Sequence, residues 1–201
     1  METFNYEKQA VQVRTKVTPA ELIGQFFYQD GTFSSEVLDK ETVGGIVACS
    51  DEHGFYVISL NELMMSWEKK HRFVIDHPEQ VFSDRGEFTT ENLVALADRL
   101  GIELQPLIFC KKTILCGKHG FLPSATECKK IWENYGKINR ILSNAGFPLL
   151  NGEYWTCKLV ASEDQALTYN FTKYPAVPLR VWRAKSCMIR PMFYFKYDEI
   201  L

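Results

Sequence analysis

The sequence predicts an α+β fold, a mostly antiparallel, twisted sheet carrying two main helices. Three observations lead there. Short apolar runs separated by turn residues fill both ends of the chain, the centre carries two segments with helical apolar spacing, and no Pro/Gly/Ser-rich linker or internal repeat divides the 201 residues. A chain of this length, 46% hydrophobic and 24% charged, buries a substantial core without metal or disulfide staples, and its composition excludes a collagen-like repeat and a coiled coil. The expected organisation is a single domain over 1–201. It divides into a β-rich part over 1–60, an irregular segment over 61–88 that reads as a candidate insertion, and helices plus a C-terminal sheet over 89–201.

Each element has its own signal. Val11-Gln12-Val13-Arg14 alternates as a half-exposed strand does. Gln25-Phe26-Phe27-Tyr28 runs into the turn pair Asp30-Gly31 before Thr32-Phe33. Residues 43–49 and 55–60 are apolar runs joined by Ser50-Asp51-Glu52-His53-Gly54, the pattern of a hairpin. The 61–88 segment holds Trp67, the basic run Lys69-Lys70-His71-Arg72 and the breakers Asp76-His77-Pro78 and Asp84-Arg85-Gly86, and is expected at the surface. A first helix begins near Thr89 or Thr90, places Leu93, Leu96, Ala97 and Leu100 on one stripe, and stops at Gly101. A second begins with a Ser124/Glu127 capping box, carries Ile131, Trp132, Tyr135, Ile138 and Leu142 on one face, and ends at Gly146. Strands return at 154–157, 167–171, 179–182 and 188–195. Pro191 calls for an edge or a bulge in the last of these.

The charge balance is 23 Lys and Arg against 25 Asp and Glu, a net −2 that argues against nucleic acid as a partner. No segment approaches the ~20 apolar residues that span a bilayer. The first residues, Met1-Glu-Thr-Phe-Asn-Tyr-Glu-Lys, lack the apolar stretch of a secretory signal, so a chain starting natively at Met1 is expected in the cytoplasm. Six cysteines (Cys49, Cys110, Cys116, Cys128, Cys157, Cys187) are expected to be mostly free and buried, as several lie in apolar runs. Cys110, Cys116, His119 and Cys128 have the spacing Cys-x5-Cys-x2-His-x8-Cys, which lacks the tight first pair of a zinc site. There is no Gly-x-Ser-x-Gly elbow and no Gly-rich phosphate loop, and His53, His71, His77 and Asp76 are not brought together by any pattern. The expectation is a non-catalytic protein without cofactor or metal.

The carboxy-terminal third carries a different signal. Between residues 158 and 196, Lys158, Lys173, Arg180, Arg183, Lys185, Arg190 and Lys196 face only Glu163 and Asp164, a local excess of five positive charges in a chain that is negative overall. Tyr169, Tyr174 and Trp182 are interleaved with them. Aromatic ring faces beside cations suit a sugar or polyanion surface, through apolar stacking and charge-assisted hydrogen bonds. The candidate ligand-binding face is therefore Tyr169, Asn170, Tyr174, Arg180, Trp182, Arg183 and Lys185.

Several pieces together resemble a bacterial family of unknown function typified by the C-terminal domain of collagen-like adhesins. They are Gly120-Phe-Leu-Pro-Ser-Ala-Thr-Glu127, Ile138-Asn139, Tyr154-Trp155-Thr156, Tyr169-Asn170-Phe171 and Ile189-Arg190-Pro191-Met192, preceded by residues 23–32, Gly45-Ile46-Val47 and His53-Gly54. The family pattern is Leu-Pro-Ser-x-x-Glu-Leu, then Tyr-Trp-Ser-Ser, then Val-Arg-Pro-Val; here Tyr154-Trp155-Thr156-Cys157 and Met192 depart from it. The resemblance implies a C-type-lectin-like core over 89–201, a variable binding face between Tyr154 and Arg190, a cell-surface location, and recognition of sulfated or otherwise anionic polysaccharide. It makes Tyr154, Trp155, Arg190 and Pro191 scaffold, and a buried Arg190 needs carboxylate or carbonyl partners. The Glu-Pro-Asn and Trp-Asn-Asp motifs of calcium-dependent animal lectins are absent. The alternatives are a protein–protein interaction module inside the cell and a thiol- or metal-dependent enzyme, using Cys157 and Cys187, which the fold would have to bring close, or a metal near Cys110 to Cys128.

Overall fold

The structure is a computed structural model that describes residues 18–67, 75, 78–160, 164–173 and 176–200. The strand expected over 11–14 and the basic run over 69–72 lie outside the described residues. Among the described residues, the chain forms α1 (Pro19–Leu22), β1 (Phe26–Tyr28), β2 (Phe33–Ser34), β3 (Val43–Ser50), β4 (Gly54–Ser59), β5 (Leu63–Met65), α2 (Pro78–Val81), α3 (Gly86–Leu100) and α4 (Gln105–Lys112). There follow β6 (Ile114–Leu115), β7 (Lys118–His119), α5 (Ala125–Glu133), α6 (Tyr135–Ala145), β8 (Glu153–Leu159), β9 (Gln165–Asn170), β10 (Pro178–Trp182), β11 (Cys187–Ile189), β12 (Met192–Lys196) and α7 (Tyr197–Ile200). The class is α+β, with antiparallel pairing throughout except between β8 and β11.

The strands divide between two five-stranded sheets, in the orders β12-β4-β3-β1-β2 and β10-β9-β8-β11-β5, beside the small β6–β7 hairpin. The expectation of one sheet fails where the chain crosses between the two. β4 and β12 pair in the first sheet, β5 and β11 in the second, so the two crossings run side by side. Pro191 has no N–H for a ladder, and the run over 188–195 breaks there into β11 and β12; its carbonyl accepts from the Ser59 N–H at 2.8 Å. Arg190, buried at the crossing, donates to the Glu62 carboxylate and to the Pro148 carbonyl (2.9 Å), meeting its expected need for both. The Tyr154 hydroxyl donates to the same carboxylate at 2.9 Å.

Helices α5 and α6 lie between the sheets. Cys128, Ile131, Ile138 and Leu142 share one core with Ile46, Ala48 and Tyr56 of the first sheet and Tyr154 and Tyr169 of the second. The outer face of the second sheet packs Trp155, Cys157 and Ile189 against Trp67, Leu93 and Leu96 of α3, and Leu107 of α4. The outer face of the first sheet gathers Phe27, Phe55, Phe193 and Phe195, with the Phe27 and Phe195 rings 4.8 Å apart. Because both faces of the first sheet are covered, β3 and β4 read as unbroken apolar runs rather than as alternation.

The helix signals hold in detail at their ends. α3 starts at Gly86, a few residues before Thr89, and stops at Gly101, whose φ of +63° needs no Cβ. The capping box forms: the Ser124 N–H donates to Glu127 Oε2 (2.7 Å) and the Glu127 N–H to Ser124 Oγ (3.1 Å). The helix expected over 125–145 is broken at Asn134 (φ −106°, ψ 6°), whose Nδ2 donates to the Ala48 carbonyl of β3 at 3.2 Å. A short amide side chain that bonds the sheet competes with the regular helical turn. The elements α4 and β6–β7 have no counterpart in the sequence reading.

One segment, residues 121–124, ties these layers together. Phe121 and Met192 exchange backbone hydrogen bonds of 2.9 Å, joining the first sheet, and the Pro123 carbonyl accepts from the Cys157 N–H of β8 (2.9 Å), joining the second. The Leu122 N–H donates to Thr90 Oγ1 of α3 (3.1 Å), and Ser124 Oγ donates to the Asp84 carbonyl (2.6 Å). Glu127 Oε2 also accepts the Gly86 N–H at 3.0 Å, so one carboxyl group caps two helices. A Cβ on Gly86 would sit 2.2 Å from the Leu122 carbonyl oxygen and 3.0 Å from Pro123 Cα, both backbone atoms that cannot swing away. Gly86→Ala is therefore expected to cost about 3 kcal/mol in urea denaturation. Gly136→Ala, on α6 with open space around it, is expected to gain roughly 1 kcal/mol; equal effects from the two substitutions would show that the approach at Gly86 is not tight.

Candidate binding face

The second sheet is covered on its inner face at one end only. Strand alternation and the register Pro178↔Tyr169, Arg180↔Leu167 and Trp182↔Gln165 put Arg180 and Trp182 on the same face as Leu167 and Gln165. At the Tyr169 end α5 and α6 lie on this face. At the Trp182 end it opens to solvent: Arg180 is exposed and Trp182 is 62% exposed. Lys158, exposed on β8, faces the same way as Leu167, and the two line a cleft of about 350 Å³. Its other wall is Phe82, Ser83 and Asp84 before α3, and its end is Ser124 to Thr126 at the start of α5. Cleft and open face thus meet at Lys158 and Leu167, offering one ammonium, one guanidinium, hydroxyls and an indole beside the carboxylate of Asp84.

The seven residues singled out from the sequence do not form one face. Arg180 and Trp182 stand together as described. Tyr169 is a core residue, 1% exposed, with its ring 5.1 Å from Phe171 and its hydroxyl donating to the Ala176 carbonyl (3.2 Å). Asn170 turns its Oδ1 back to accept from the N–H (3.0 Å) and hydroxyl (2.7 Å) of Thr172, closing the turn after β9. Arg183 is 3% exposed; its Nη2 donates to Asp164 Oδ1 (3.1 Å), and its N–H donates to the Asp164 carbonyl (2.8 Å). Lys185 is exposed and donates to Glu153 Oε2 at 2.6 Å, a bond that raises its own pKa. Burial works to raise the Glu153 carboxyl, but bonds from Lys185 and Thr168 outweigh it and hold it below its usual range. Tyr174 lies outside the described residues.

Lys158 belongs to the basic segment that the sequence singles out but not to the seven residues of its candidate face, and Leu167 and the cleft wall have no place in that face. Lys158 has a usable signal, since it is the exposed position beside buried Cys157 and Leu159 in β8. Phe82 to Asp84 have none, because only the tertiary bonds from Ser124 and Glu127 bring them there.

The other candidate chemistries scatter. All six cysteines are free, and five are buried. Cys110 is on α4, Cys116 in the β6–β7 turn and Cys128 on α5, while the exposed His119 places Nδ1 2.6 Å from the Lys111 carbonyl. Among the described residues, no three His, Cys, Asp or Glu side chains gather as a metal-binding group. Cys157 and Cys187 lie in the same outer core; burial pushes Cys187 up to about 11 and Cys157 higher still, which leaves little nucleophilic thiolate at neutral pH. Among the described residues, no helix is long and apolar enough to cross a membrane.

No family model matches the chain. No curated protein matches it either. Among solved structures, the chain is similar to a fimbrial protein from Bacteroides ovatus, with a TM-score of 0.67 at 11% sequence identity, over 86% of this chain and 48% of that one. The chain spans about half the length of that protein. At this identity the likeness is one of fold: the α+β arrangement described above also occurs within a fimbrial protein.

Proposed function

We propose that the chain is a single, non-catalytic binding module of the adhesin type, C-type-lectin-like in its core, that holds an anionic polysaccharide across the open end of its second sheet. The observation that carries this reading is Trp182, 62% exposed on an edge strand beside the exposed Arg180. An indole left in water offers a flat apolar surface for the face of a sugar ring, and a neighbouring guanidinium suits a sulfate or carboxylate. The adjoining cleft of about 350 Å³, with Lys158 on its wall, has room for a short stretch of such a chain. The fold shared with a fimbrial protein adds support for a surface module. A second reading, docking of a protein partner, draws on the exposed Leu63 and Met64 of edge strand β5.

The test is binding of the purified chain to neutral, uronic-acid and sulfated polysaccharides at low and physiological salt, with chelator in one arm. The reading expects salt-sensitive, chelator-independent binding to the anionic chains. Lys158→Glu with Arg180→Glu, and separately Trp182→Ala, are expected to weaken it roughly tenfold or more without lowering the melting temperature. Undiminished binding by the charge-reversed variant at low salt would place the ligand elsewhere. No binding to any polysaccharide would favour the protein-docking reading.

Arg183 behaves differently. Arg183→Ala removes a buried guanidinium from the partly exposed Asp164 carboxylate and is expected to cost about 2 kcal/mol of stability in urea denaturation, through the lost charge-assisted hydrogen bond. A variant as stable as the parent would show that Arg183 is not built into the fold.

A further inference from the structure

We propose that Glu127 is a proton-operated clamp: its carboxyl group joins the start of α3 to the start of α5, and its ionisation loosens the two walls of the cleft that these segments form. The link to ligand binding rests on the reading of that cleft as part of the binding site.

The geometry concentrates on one carboxyl group. Glu127 Oε2 accepts the Ser124 N–H (2.7 Å) on one wall and the Gly86 N–H (3.0 Å) just behind the other. Glu127 Oε1 is buried and has no hydrogen-bond partner among the described residues. The cleft residues Ser83 and Asp84 precede Gly86 by two or three positions, and Ser124 to Thr126 precede Glu127 directly. The walls are bonded to each other as well, through Ser124 Oγ and the Asp84 carbonyl (2.6 Å). A change in the force at Glu127 therefore reaches both walls through no more than a few backbone atoms.

The groups around Glu127 decide its preferred state. Arg85, just before α3, favours the carboxylate. Tyr56 of β4, Cys49 of β3, Cys157 of β8 and Cys128 on α5 itself also feel its charge; burial raises their own pKa values, so they stay neutral near pH 7. Burial is the largest influence on Glu127 and outweighs the hydrogen bonds from Ser124 and Gly86 and the attraction of Arg85, pushing it up to about 7. A carboxyl group whose folded pKa lies above its ordinary 4.5 binds its proton more tightly in the folded state. Its contribution to stability is thus complete below pH 4.5 and is lost as pH rises through about 7. Above that, the buried charge and its unpartnered oxygen favour separation of the walls, which admits water.

The test is nuclear magnetic resonance of the full chain from pH 5 to 9. The Glu127 side-chain carboxyl carbon and the Gly86 and Ser124 amides are expected to titrate together with a midpoint near 7, with Ser83 and Thr126 following. Glu127→Gln keeps an oxygen that accepts both N–H groups, and is expected to flatten the four amide titrations. It leaves the four histidines in place, so their titration is told apart. A wild-type Glu127 carboxyl carbon that titrates near its ordinary value, or amides that stay flat from pH 5 to 9, would overturn the clamp whether or not the variant folds. Polysaccharide binding at pH 6 and pH 8 is expected to be tighter at pH 6, with the difference absent in Glu127→Gln. Equal binding at both values by the wild type would sever the clamp from the site. A chain that titrates as described yet binds no polysaccharide would contradict the proposed function and leave the clamp standing.

Discussion

The backbone of residues 121–124 and the carboxyl group of Glu127 share a problem of satisfaction: every polar group is buried where two sheets and two helices converge, and each needs a partner in a different layer. Phe121 finds its partner on β12, Pro123 on β8, Leu122 on α3, and Ser124 on the chain before α3. Glu127 completes the set by capping α5 and α3 with one oxygen. Four neighbouring backbone positions thus fix the relative placement of most of the secondary structure. Gly86 is part of the same constraint, since α3 reaches the Glu127 carboxyl only because no Cβ stands between.

The placement of α5 and α6 also leaves open the proposed binding face. The pair fills the space between the sheets over Tyr154, Tyr169 and Phe171, and leaves the far end of β9 and β10 to solvent. Where the start of α5 meets β8, the uncovered sheet and the loop before α3 leave the cleft. Packing and the open surface are thus two consequences of one arrangement: the helices stop where the cations and the indole begin.

Legibility in the sequence followed the range of the interaction. The capping box at Ser124 and Glu127, the stops at Gly101 and Gly146 and the hairpin of β3 and β4 rest on contacts a few residues apart, and local spacing reveals them. Pro191 marked the right place but not the event, because a missing N–H signals a break in a ladder without saying that the chain changes sheets. Tyr169 and Arg183 were misjudged for a related reason. Alternation shows that residues share a face, but not which end of that face a helix will cover, and Arg183 turns inward to Asp164 just beyond the end of β10. The second role of Glu127, toward Gly86 forty-one positions away, leaves no trace in local pattern.

The most direct test of the proposed binding face uses its indole. The chain has four tryptophans, of which Trp67 and Trp155 are fully buried and Trp182 is 62% exposed. Incorporation of 5-fluorotryptophan, with the resonance of Trp182 assigned through Trp182→Phe, lets fluorine magnetic resonance follow each ring as a sulfated polysaccharide is added. The account predicts that the Trp182 resonance shifts and saturates with binding while those of Trp67 and Trp155 stay in place. Saturable binding that leaves the Trp182 resonance unmoved would contradict it.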